Sequence, residues 1–316
     1  KWAITRATFN QDDVITGANI TAEDSEAYYY AFSTDGTVTI SDGVMIDAMW
    51  IGGGGGGASS GWRSGGGPGA GGLLVITNYS IPAGSYSVTI GAGGTVAASR
   101  GTNGGNTTWL GAIADGGAGG EAERQDGVSG GCGSGAYQGY NGGSSTQTDR
   151  ALSTGGTATG YGNDGAAAGT VTGQLGQCVS GGGGVGSIGF FGVGATRTTI
   201  GTDFSVKFGN RGGYGTELVP DAHWLTKAYA ANGVADQFGE YGFIGGGGGG
   251  GFTVSENYGN LPSGASAGGG AGAQGGERPG TAGIANTGGG GGGLAGVGYP
   301  GGSGALYIRI LKAVTI

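Results

Sequence analysis

Short apolar segments alternate with glycine tracts along most of this chain. The longest apolar segment, Val44 to Ile51, runs directly into the six consecutive glycines Gly52 to Gly57. The chain then returns as the apolar run Leu73 to Ile76, and Tyr86 to Ile90 alternates polar and apolar positions. Segments of this length and alternation predict β-strands. The recurring unit is therefore a strand, a glycine tract and another strand.

A hairpin is predicted just before this unit. Thr37 to Ile40 alternates polar and apolar positions, and Asp42-Gly43 separates it from the apolar run that begins at Val44. Asp-Gly accepts the left-handed backbone conformations that a tight hairpin turn requires. We therefore expect residues 37–40 and 44–51 to pair directly.

The second half of the chain contains one segment of different composition. Residues 190–243 are rich in aromatic side chains, and a brief helix is compatible with 222–231. Outside this insertion, strand-like islands occur at 107–113 and 173–179, and a closing strand is predicted at Ala305 to Leu311. We interpret 190–243 as an insertion in a glycine-rich domain.

The composition favours a folded chain over a disordered one. The 88 glycines and 6 prolines among 316 residues are in the range of low-complexity chains, but glycine does not recur at every third position as in collagen. Charged residues make up only 11% and hydrophobic residues 36%. Disordered chains are usually polar and charged, so this composition argues against disorder.

Bare glycine tracts have few ways to satisfy their backbone hydrogen bonds. In polyproline II geometry, six or seven residues span roughly 20 Å without internal hydrogen bonds, so every N–H and C=O needs an outside partner. We expect an all-β fold: a β-sandwich core carrying a bundle of polyglycine II helices. The tracts predicted to form the bundle are residues 52–57, 181–184, 245–251 and 288–293. The alternative is that these tracts are loops of an ordinary sandwich.

Charge and hydropathy exclude two classes of partner. The net charge is −8, and the 13 Lys and Arg residues are scattered rather than clustered, which argues against nucleic acid binding. No apolar run approaches the roughly 20 residues that a membrane-spanning helix needs, so membrane insertion is not expected.

Metal and cofactor sites are not predicted either. Cys132 and Cys178 are too few for a disulfide scaffold or a structural zinc site, and the sequence is equally compatible with one bridge and two free thiols. His223 is the only histidine. Glycines after Trp50-Ile51 match G-x-G-x-x-G, but no helix follows as the dinucleotide-binding fold requires.

Catalysis is not expected from the acidic residues. Paired carboxylates for glycan hydrolysis would have to come from loops. The candidates, which we interpret as solvated turn residues, are Asp115, Glu121, Glu123 and Asp126. We therefore predict a non-enzymatic protein without metal or cofactor.

The order of several motifs resembles the glycine-rich domain of bacteriophage tail-fibre and tail-tip proteins, which include receptor-binding adhesins. The motifs that carry this resemblance are Met49 to Gly57, Ile81 to Gly94, Gly104 to Trp109 and Gly301 to Ile310. The resemblance covers about Phe32 to Leu311 and has no catalytic residues to transfer. It implies a β-sandwich with polyglycine II helices, placed distally on a virion or otherwise outside the cell, whose loops touch the host surface.

This resemblance sets the expected organisation and partners. Residues 1–31, with Tyr28-Tyr-Tyr30, are interpreted as a leader that attaches the domain to other virion proteins or to symmetry mates in a homotrimer; the alternative is a first strand. Residues 32–316 form the domain. The expected partner is a host cell-surface glycan or outer-membrane protein.

Aromatic residues indicate where that receptor is held, because Tyr and Trp provide rigid amphipathic contact area. Residues 190–243 contain the densest aromatic group, although alternation through Phe204, Val206 and Phe208 is also typical of a small core. The predicted receptor contacts are Tyr214, His223, Trp224 and Tyr229, followed by Tyr137 and Tyr140. Two other functions stay open: a non-adhesive structural protein, such as a head fibre or filament subunit, and a glycan-degrading virion enzyme.

Overall fold

The computed structural model describes the chain in ten segments. They are residues 14–23, 26–59, 65–121, 125–137, 139–169, 179–189, 244–250, 268–272, 279–293 and 297–312. Within them lie the twelve strands β1 (Ile15–Thr16), β2 (Ile20–Glu23), β3 (Ala27–Phe32), β4 (Gly36–Ile40), β5 (Val44–Ile51), β6 (Leu73–Ile81), β7 (Gly84–Thr89), β8 (Thr107–Trp109), β9 (Ala112–Ala114), β10 (Arg150–Ala151), β11 (Thr157–Tyr161) and β12 (Ala305–Leu311).

These strands form two antiparallel sheets, which confirms the predicted all-β fold. The five-stranded sheet has the order β1-β4-β7-β8-β9, and the seven-stranded sheet has the order β10-β11-β6-β5-β12-β3-β2. The closing strand β12 lies near the centre of the larger sheet, between β5 and β3. The first and last parts of the chain are therefore joined by direct strand pairing.

Large apolar side chains fill the space between the two sheets. Trp50 of the larger sheet and Trp109 of the smaller one are fully buried, with ring centroids 5.5 Å apart and planes at 86°. Phe32, Ile46 and Leu306 belong to the same buried cluster. This edge-to-face aromatic pair joins the two sheets at the centre of the core.

The outer face of the seven-stranded sheet is also apolar and buried. Met49 and Leu73 project there and pack with Val185 and Ile244, which come from the glycine-rich part of the chain. Toward one end of this face, Arg309 donates from Nε and Nη2 to Asp47 Oδ2 at 3.1 and 2.8 Å. The charged pair is buried within the sheet, since both residues are less than 10% exposed.

The predicted hairpin of residues 37–40 and 44–51 is wrong. Strand β4 pairs with β1 and β7 in the smaller sheet, whereas β5 pairs with β6 and β12 in the larger one. The turn at Asp42-Gly43 therefore connects two sheets instead of two neighbouring strands. The physical reason is that β5 is buried on both faces through residues 46–51, so it belongs at the centre of a covered sheet.

The predicted strand island at 107–113 is a tight hairpin. Strands β8 and β9 pair around Leu110-Gly111, whose φ angles are 50° and 74°. Two consecutive positive φ values are typical of the type I′ turn, whose twist suits adjacent antiparallel strands. The predicted island 173–179 and the helix at 222–231 lie outside the described residues, apart from Val179.

Much of the predicted leader belongs to the sandwich. Of residues 1–31, the structure describes 14–23 and 26–31, which contain β1, β2 and most of β3. Strand β3 lies between β12 and β2, and Tyr29 and Tyr30 are only 3% and 2% exposed. The aromatic triplet therefore contributes to the fold. An attachment role for residues 1–31 stays a prediction.

The described glycine segments that adjoin β5, β6, β7, β9 and β12 leave the sandwich at one end. Tract 52–57 continues β5, segments 91–95 and 115–120 follow β7 and β9, and segments 66–72 and 298–304 precede β6 and β12. The opposite end of the sandwich carries the connections Ser41 to Gly43, Pro82-Ala83 and Leu110-Gly111, together with Val14 and Lys312. We call these the glycine region and the base.

Backbone hydrogen bonds in the glycine region repeat every third residue. In tract 52–57, Gly52 and Gly55 donate to Gly72 and Gly69, and the next two positions of each triplet donate to two other segments. Its carbonyl groups accept from three more segments. The six segments around the tract are residues 69–72, 94, 102–105, 117–120, 291 and 299–302. Each turn of the tract is thus bonded to neighbours in all directions.

Two further segments are enclosed in the same way. Segment 66–72 exchanges backbone hydrogen bonds with six neighbours, and so does tract 288–293. All described residues in these three segments are buried. Segments at the perimeter have fewer neighbours and carry side chains: in segment 101–106, Asn103 and Asn106 accept from the N–H groups of Gly119 and Gly116. The three most enclosed segments therefore consist of glycine, with only Pro68 and Ala70 as exceptions.

Close approach of backbone, and not an unusual φ, explains glycine in tract 52–57. A Cβ added at any of its six positions would lie closer than 3.0 Å to backbone atoms of a neighbouring segment. None of these six glycines has a positive φ. Residue 54, for example, faces the backbone of Gly289. Any side chain there would displace a neighbouring segment and its hydrogen bonds.

No helix long and apolar enough to cross a membrane occurs in the part of the chain that the structure describes.

Candidate functional site

The candidate site is the end of the glycine region that lies farthest from the sheets, which we call the distal end. Gly52 adjoins β5, and the tract then runs outward through Gly57 to Ala58, which bridges to Ala97. Six residues in extended helical geometry cover roughly 20 Å at about 3.1 Å each. The described side chains grouped at this end include Arg100, Glu121, Gln125, Tyr137, Tyr140 and Val179.

Arg100 and Glu121 form an ion pair at the distal end. They face each other across an isolated antiparallel bridge, next to the hydrogen bond from Gly101 N–H to Gly120 O. Arg100 Nε lies 2.5 Å from Glu121 Oε1, and its Nη2 donates to Gln125 Oε1 at 3.0 Å. The Glu121 side chain is fully buried, whereas that of Arg100 is 49% exposed. The pair thus joins a buried anion to an accessible cation.

Burial sets the protonation preference of Glu121. Desolvation raises the pKa of its carboxyl above the ordinary value, and the attraction of Arg100 lowers it by a smaller amount. Among the described residues, the Arg100 guanidinium is the group that contacts this carboxylate. Arg100 offsets only part of the desolvation cost, so the neutral form is favoured relative to an exposed glutamate.

A small apolar cluster occupies another part of the distal end. Tyr137 bridges to Val179, and Tyr140 packs against both. The N–H of Tyr140 donates to Tyr137 O at 3.0 Å, and its carbonyl accepts from Ala168 N–H. Tyr137 is only 8% exposed, so Tyr140, which is half-buried, offers the more accessible ring of the two.

The receptor contacts predicted from the sequence are only partly described. Tyr214, His223, Trp224 and Tyr229 lie outside the described residues. Tyr137 and Tyr140 are brought together by the structure, as given above. A role in receptor binding therefore stays a prediction for all six of these residues. The sequence did not predict the pair Arg100 and Glu121 as a receptor contact.

Of the acidic loop residues predicted to be solvated, Asp126 is exposed, Asp115 is half-buried and Glu121 is buried. Asp115 accepts from Arg150 Nη2 at 3.0 Å and from Thr146 Oγ1, and Asp126 accepts from Asn141 N–H. Glu121 is buried, so the prediction that it is solvated is wrong. Its neighbour Glu123 lies outside the described residues. Within the described segments, no cluster of His, Cys, Asp or Glu residues has the arrangement of a metal site.

Cys132 is a free, fully buried thiol. It packs with Ala70 and Leu73 at the junction of the glycine region and the seven-stranded sheet, and its Sγ lies 3.8 Å from Gly71 O. Burial raises the pKa of the thiol to about 12. The thiol is therefore protonated at neutral pH and acts as a small apolar side chain. Cys178, the other member of the predicted pair, lies outside the described residues.

One signal in the sequence could have identified the charged pair. Arg100 directly precedes the segment that begins at Gly101, and Glu121 directly follows the segment that ends at Gly120. Residues that flank two bonded glycine segments at the same end come together once the segments pair. Without knowing that 101–106 and 115–120 are neighbours, the 21-residue separation of the two charges carries no information.

Comparison with known proteins gives one family. Residues 32–311 match the family described as a glycine-rich domain. No curated protein matches the chain. The matched range includes β4 to β12 and the whole glycine region, and it omits β1, β2 and nearly all of β3. Because the match covers most of the 316 residues, the chain belongs to this glycine-rich domain family.

Proposed function

We propose that this protein is a tail-fibre or tail-tip component of a bacteriophage virion and binds a receptor on the host cell surface without catalysing a reaction. The receptor is a cell-surface glycan or an outer-membrane protein. The observation that carries the proposal is the separation of the molecule into two ends. The base holds Val14 and Lys312, and the glycine region projects side chains such as Arg100 and Tyr140 from the opposite end.

The hydrogen-bond pattern supports a stiff connection between these ends. Its period of three residues is the period of polyproline II geometry, and we propose that the enclosed tracts are polyglycine II helices. Each of the segments 52–57, 66–72 and 288–293 is bonded to six neighbours along its length. A backbone lattice of this kind holds distal side chains at fixed positions, which lowers the ordering cost of binding a large surface.

Adsorption to bacteria tests the proposed function. Labelled protein is incubated with a panel of bacterial strains, and bound protein is measured after washing. We expect saturable binding to some strains, strongly reduced in the double variant Trp224→Ala and Tyr214→Ala, whose thermal transition should match the parent. Met45→Ser is the control, because Met45 is 46% exposed at the base. Unimpaired binding by the folded double variant would move the receptor surface elsewhere, and absence of binding to every strain would contradict the function.

Attachment to other virion proteins requires a separate experiment. Truncation before Phe32 would remove β1 to β3 from their sheets, so loss of an oligomer could reflect unfolding. Removing residues 1–13 leaves all described strands intact. If residues 1–13 hold a homotrimer together, light scattering should show a smaller particle for this variant with unchanged circular dichroism. An unchanged mass would exclude residues 1–13 from the contact between copies of the chain.

A non-adhesive structural role, as in a head fibre, is the second candidate. The glycine tracts are buried, and a stiff domain of this kind can serve as a spacer in a virion without binding a receptor. This structural role predicts that removal of the domain impairs virion assembly and leaves adsorption to bacteria unchanged.

A further inference from the structure

Arg100 differs from the other described basic residues in its surroundings. Arg150 pairs with the carboxylate of Asp115, Arg309 is buried with Asp47, and Lys312 pairs with Glu23 at the base. Only Arg100, among these four, lies at the distal end. Its carboxylate partner is fully buried beneath it while its own side chain is 49% exposed. The exposed member of this ion pair is therefore the cation, although the chain as a whole has a net charge of −8.

The contacts of Arg100 orient its guanidinium and leave part of it unused. Nε is in contact with Glu121, and Nη2 donates once, to Gln125. Nη1 and the second hydrogen of Nη2 have no acceptor among the described residues. Two donors on one planar group form the fork that binds a carboxylate or phosphate with two parallel hydrogen bonds.

We propose that Arg100, oriented by Glu121 and Gln125, binds an anionic group of the host-surface ligand, either a carboxylate or a phosphate. The inference rests on the proposed receptor-binding function and specifies the chemistry of one contact. Glu121 competes with the external anion for the same guanidinium. It therefore acts as a positioning residue that limits affinity, while Arg100 makes the contact.

The test is a titration of the full-length protein with inorganic phosphate and, separately, with glucuronate, which represent the two sources of the anion. Binding is followed by NMR through the backbone N–H resonances of Gly101 and Gly120, which lie beside the ion pair and are present in the parent and in every variant. We expect a saturable shift with at least one probe. Removing the charged hydrogen bonds by Arg100→Gln should weaken binding by about tenfold or more. Removing the competing charge by Glu121→Gln should strengthen it by about threefold. Lys312→Gln, at the base, is the matched control and should leave binding unchanged.

These outcomes separate the inference from the proposed function. A resonance that shifts with neither probe, or an equal response in Arg100→Gln, would overturn the anion site. If Arg100→Gln unfolds, Arg100→Lys keeps the charge but loses the fork, and unaltered affinity in that variant would equally overturn it. Weaker binding by Glu121→Gln would contradict competition. Saturable anion binding by a protein that adsorbs to no bacterial strain would retain the site and reject the receptor function.

Discussion

Side chains stabilise the sandwich, whereas backbone groups stabilise the glycine region. In the sandwich, side chains such as Trp50, Trp109 and Leu306 are removed from water, and burial of apolar area drives folding. In the glycine region, backbone groups pair with backbone groups of other segments, and tracts 52–57 and 288–293 have no side chains to bury. Each glycine also loses more conformational entropy on folding than other residues.

This contrast shows that the two regions tolerate different kinds of change. A sandwich core accepts another apolar side chain of similar volume, since packing depends on size and shape. Tract 52–57 accepts no side chain without displacement of its neighbours, because backbone atoms of other segments already lie within 3.0 Å of where each Cβ would be. Substitutions that distinguish side-chain packing from backbone packing therefore provide the sharpest tests.

The largest effect is expected for Gly55→Val in the enclosed tract. The new side chain would overlap the backbone of Ala118 and separate Gly55 from Gly69 and Gly291, its backbone hydrogen-bond partners. Overpacking and two unpaired buried groups together should cost about 5 kcal/mol or more. Urea unfolding monitored by circular dichroism provides the measurement. Gly36→Val is the control, because a Cβ at residue 36 meets nothing within 4 Å. Equal stability of the two variants would show that tract 52–57 is not close-packed.

The second largest loss of stability is expected for Asp47→Ala in the sandwich. It leaves the buried Arg309 without its carboxylate and the N–H of Asn78 without its 2.7 Å acceptor. Removing one partner of a buried ion pair costs about 3–5 kcal/mol. Glu23→Ala breaks the more exposed pair with Lys312 and should cost less than about 1 kcal/mol. Differential scanning calorimetry gives the melting temperatures of both variants. Similar melting temperatures would contradict a stabilising role for the buried pair.

A smaller difference in stability is expected between substitutions of the two core tryptophans. Trp50 Nε1 donates to Ala112 O at 3.4 Å, whereas Trp109 Nε1 is buried and has no hydrogen-bond acceptor among the described residues. Trp→Phe removes a similar volume at each site, but only at Trp50 does it remove a side-chain hydrogen bond to a backbone carbonyl. We expect Trp50→Phe to be less stable than Trp109→Phe by about 1 kcal/mol in chemical unfolding. The opposite order would show that packing differences outweigh the hydrogen bond.

The smallest effect concerns pH and Glu121. Because the pKa of Glu121 is raised in the folded state, its contribution to stability is present below the unfolded pKa and is lost as pH rises through the folded pKa. Glu121→Gln removes this dependence. Relative to the parent, the variant should gain up to about 1 kcal/mol between acid and neutral pH, since Arg100 offsets part of the cost. Unfolding free energies measured across this range should converge at low pH, and parallel curves would contradict the raised pKa.

Periodicity predicted individual strands better than their partners. The apolar runs at 44–51 and 305–311 are strands with these bounds, and the run at Leu73 is the start of a longer one. The order of apolar and polar residues in these runs indicates which positions are buried, and that order can be read directly from the sequence. The pairing of β4 with β7 instead of β5 depends on which strand has both faces covered, and that is a property of the whole fold.

The candidate site was less accessible to prediction, because glycine segments provide no side-chain pattern for assigning neighbours. Continuous glycine correctly indicated close backbone packing at 52–57 and 288–293. It did not show that 101–106 lies beside 115–120, which is what brings Arg100 to Glu121. Aromatic content directed attention to Tyr137 and Tyr140, and of these only Tyr140 is half-exposed.

The enclosed glycine segments have a consequence for the heat capacity of unfolding. Exposure of apolar surface raises the heat capacity, by about 0.45 cal/K/mol per Å², and exposure of polar surface lowers it, by about 0.26. Unfolding segments 52–57, 66–72 and 288–293 exposes mainly peptide groups, so this region contributes less per residue than the usual value of about 12–15 cal/mol/K. Its stability therefore varies with temperature along a flatter curve than that of the sandwich, and it weakens less on cooling.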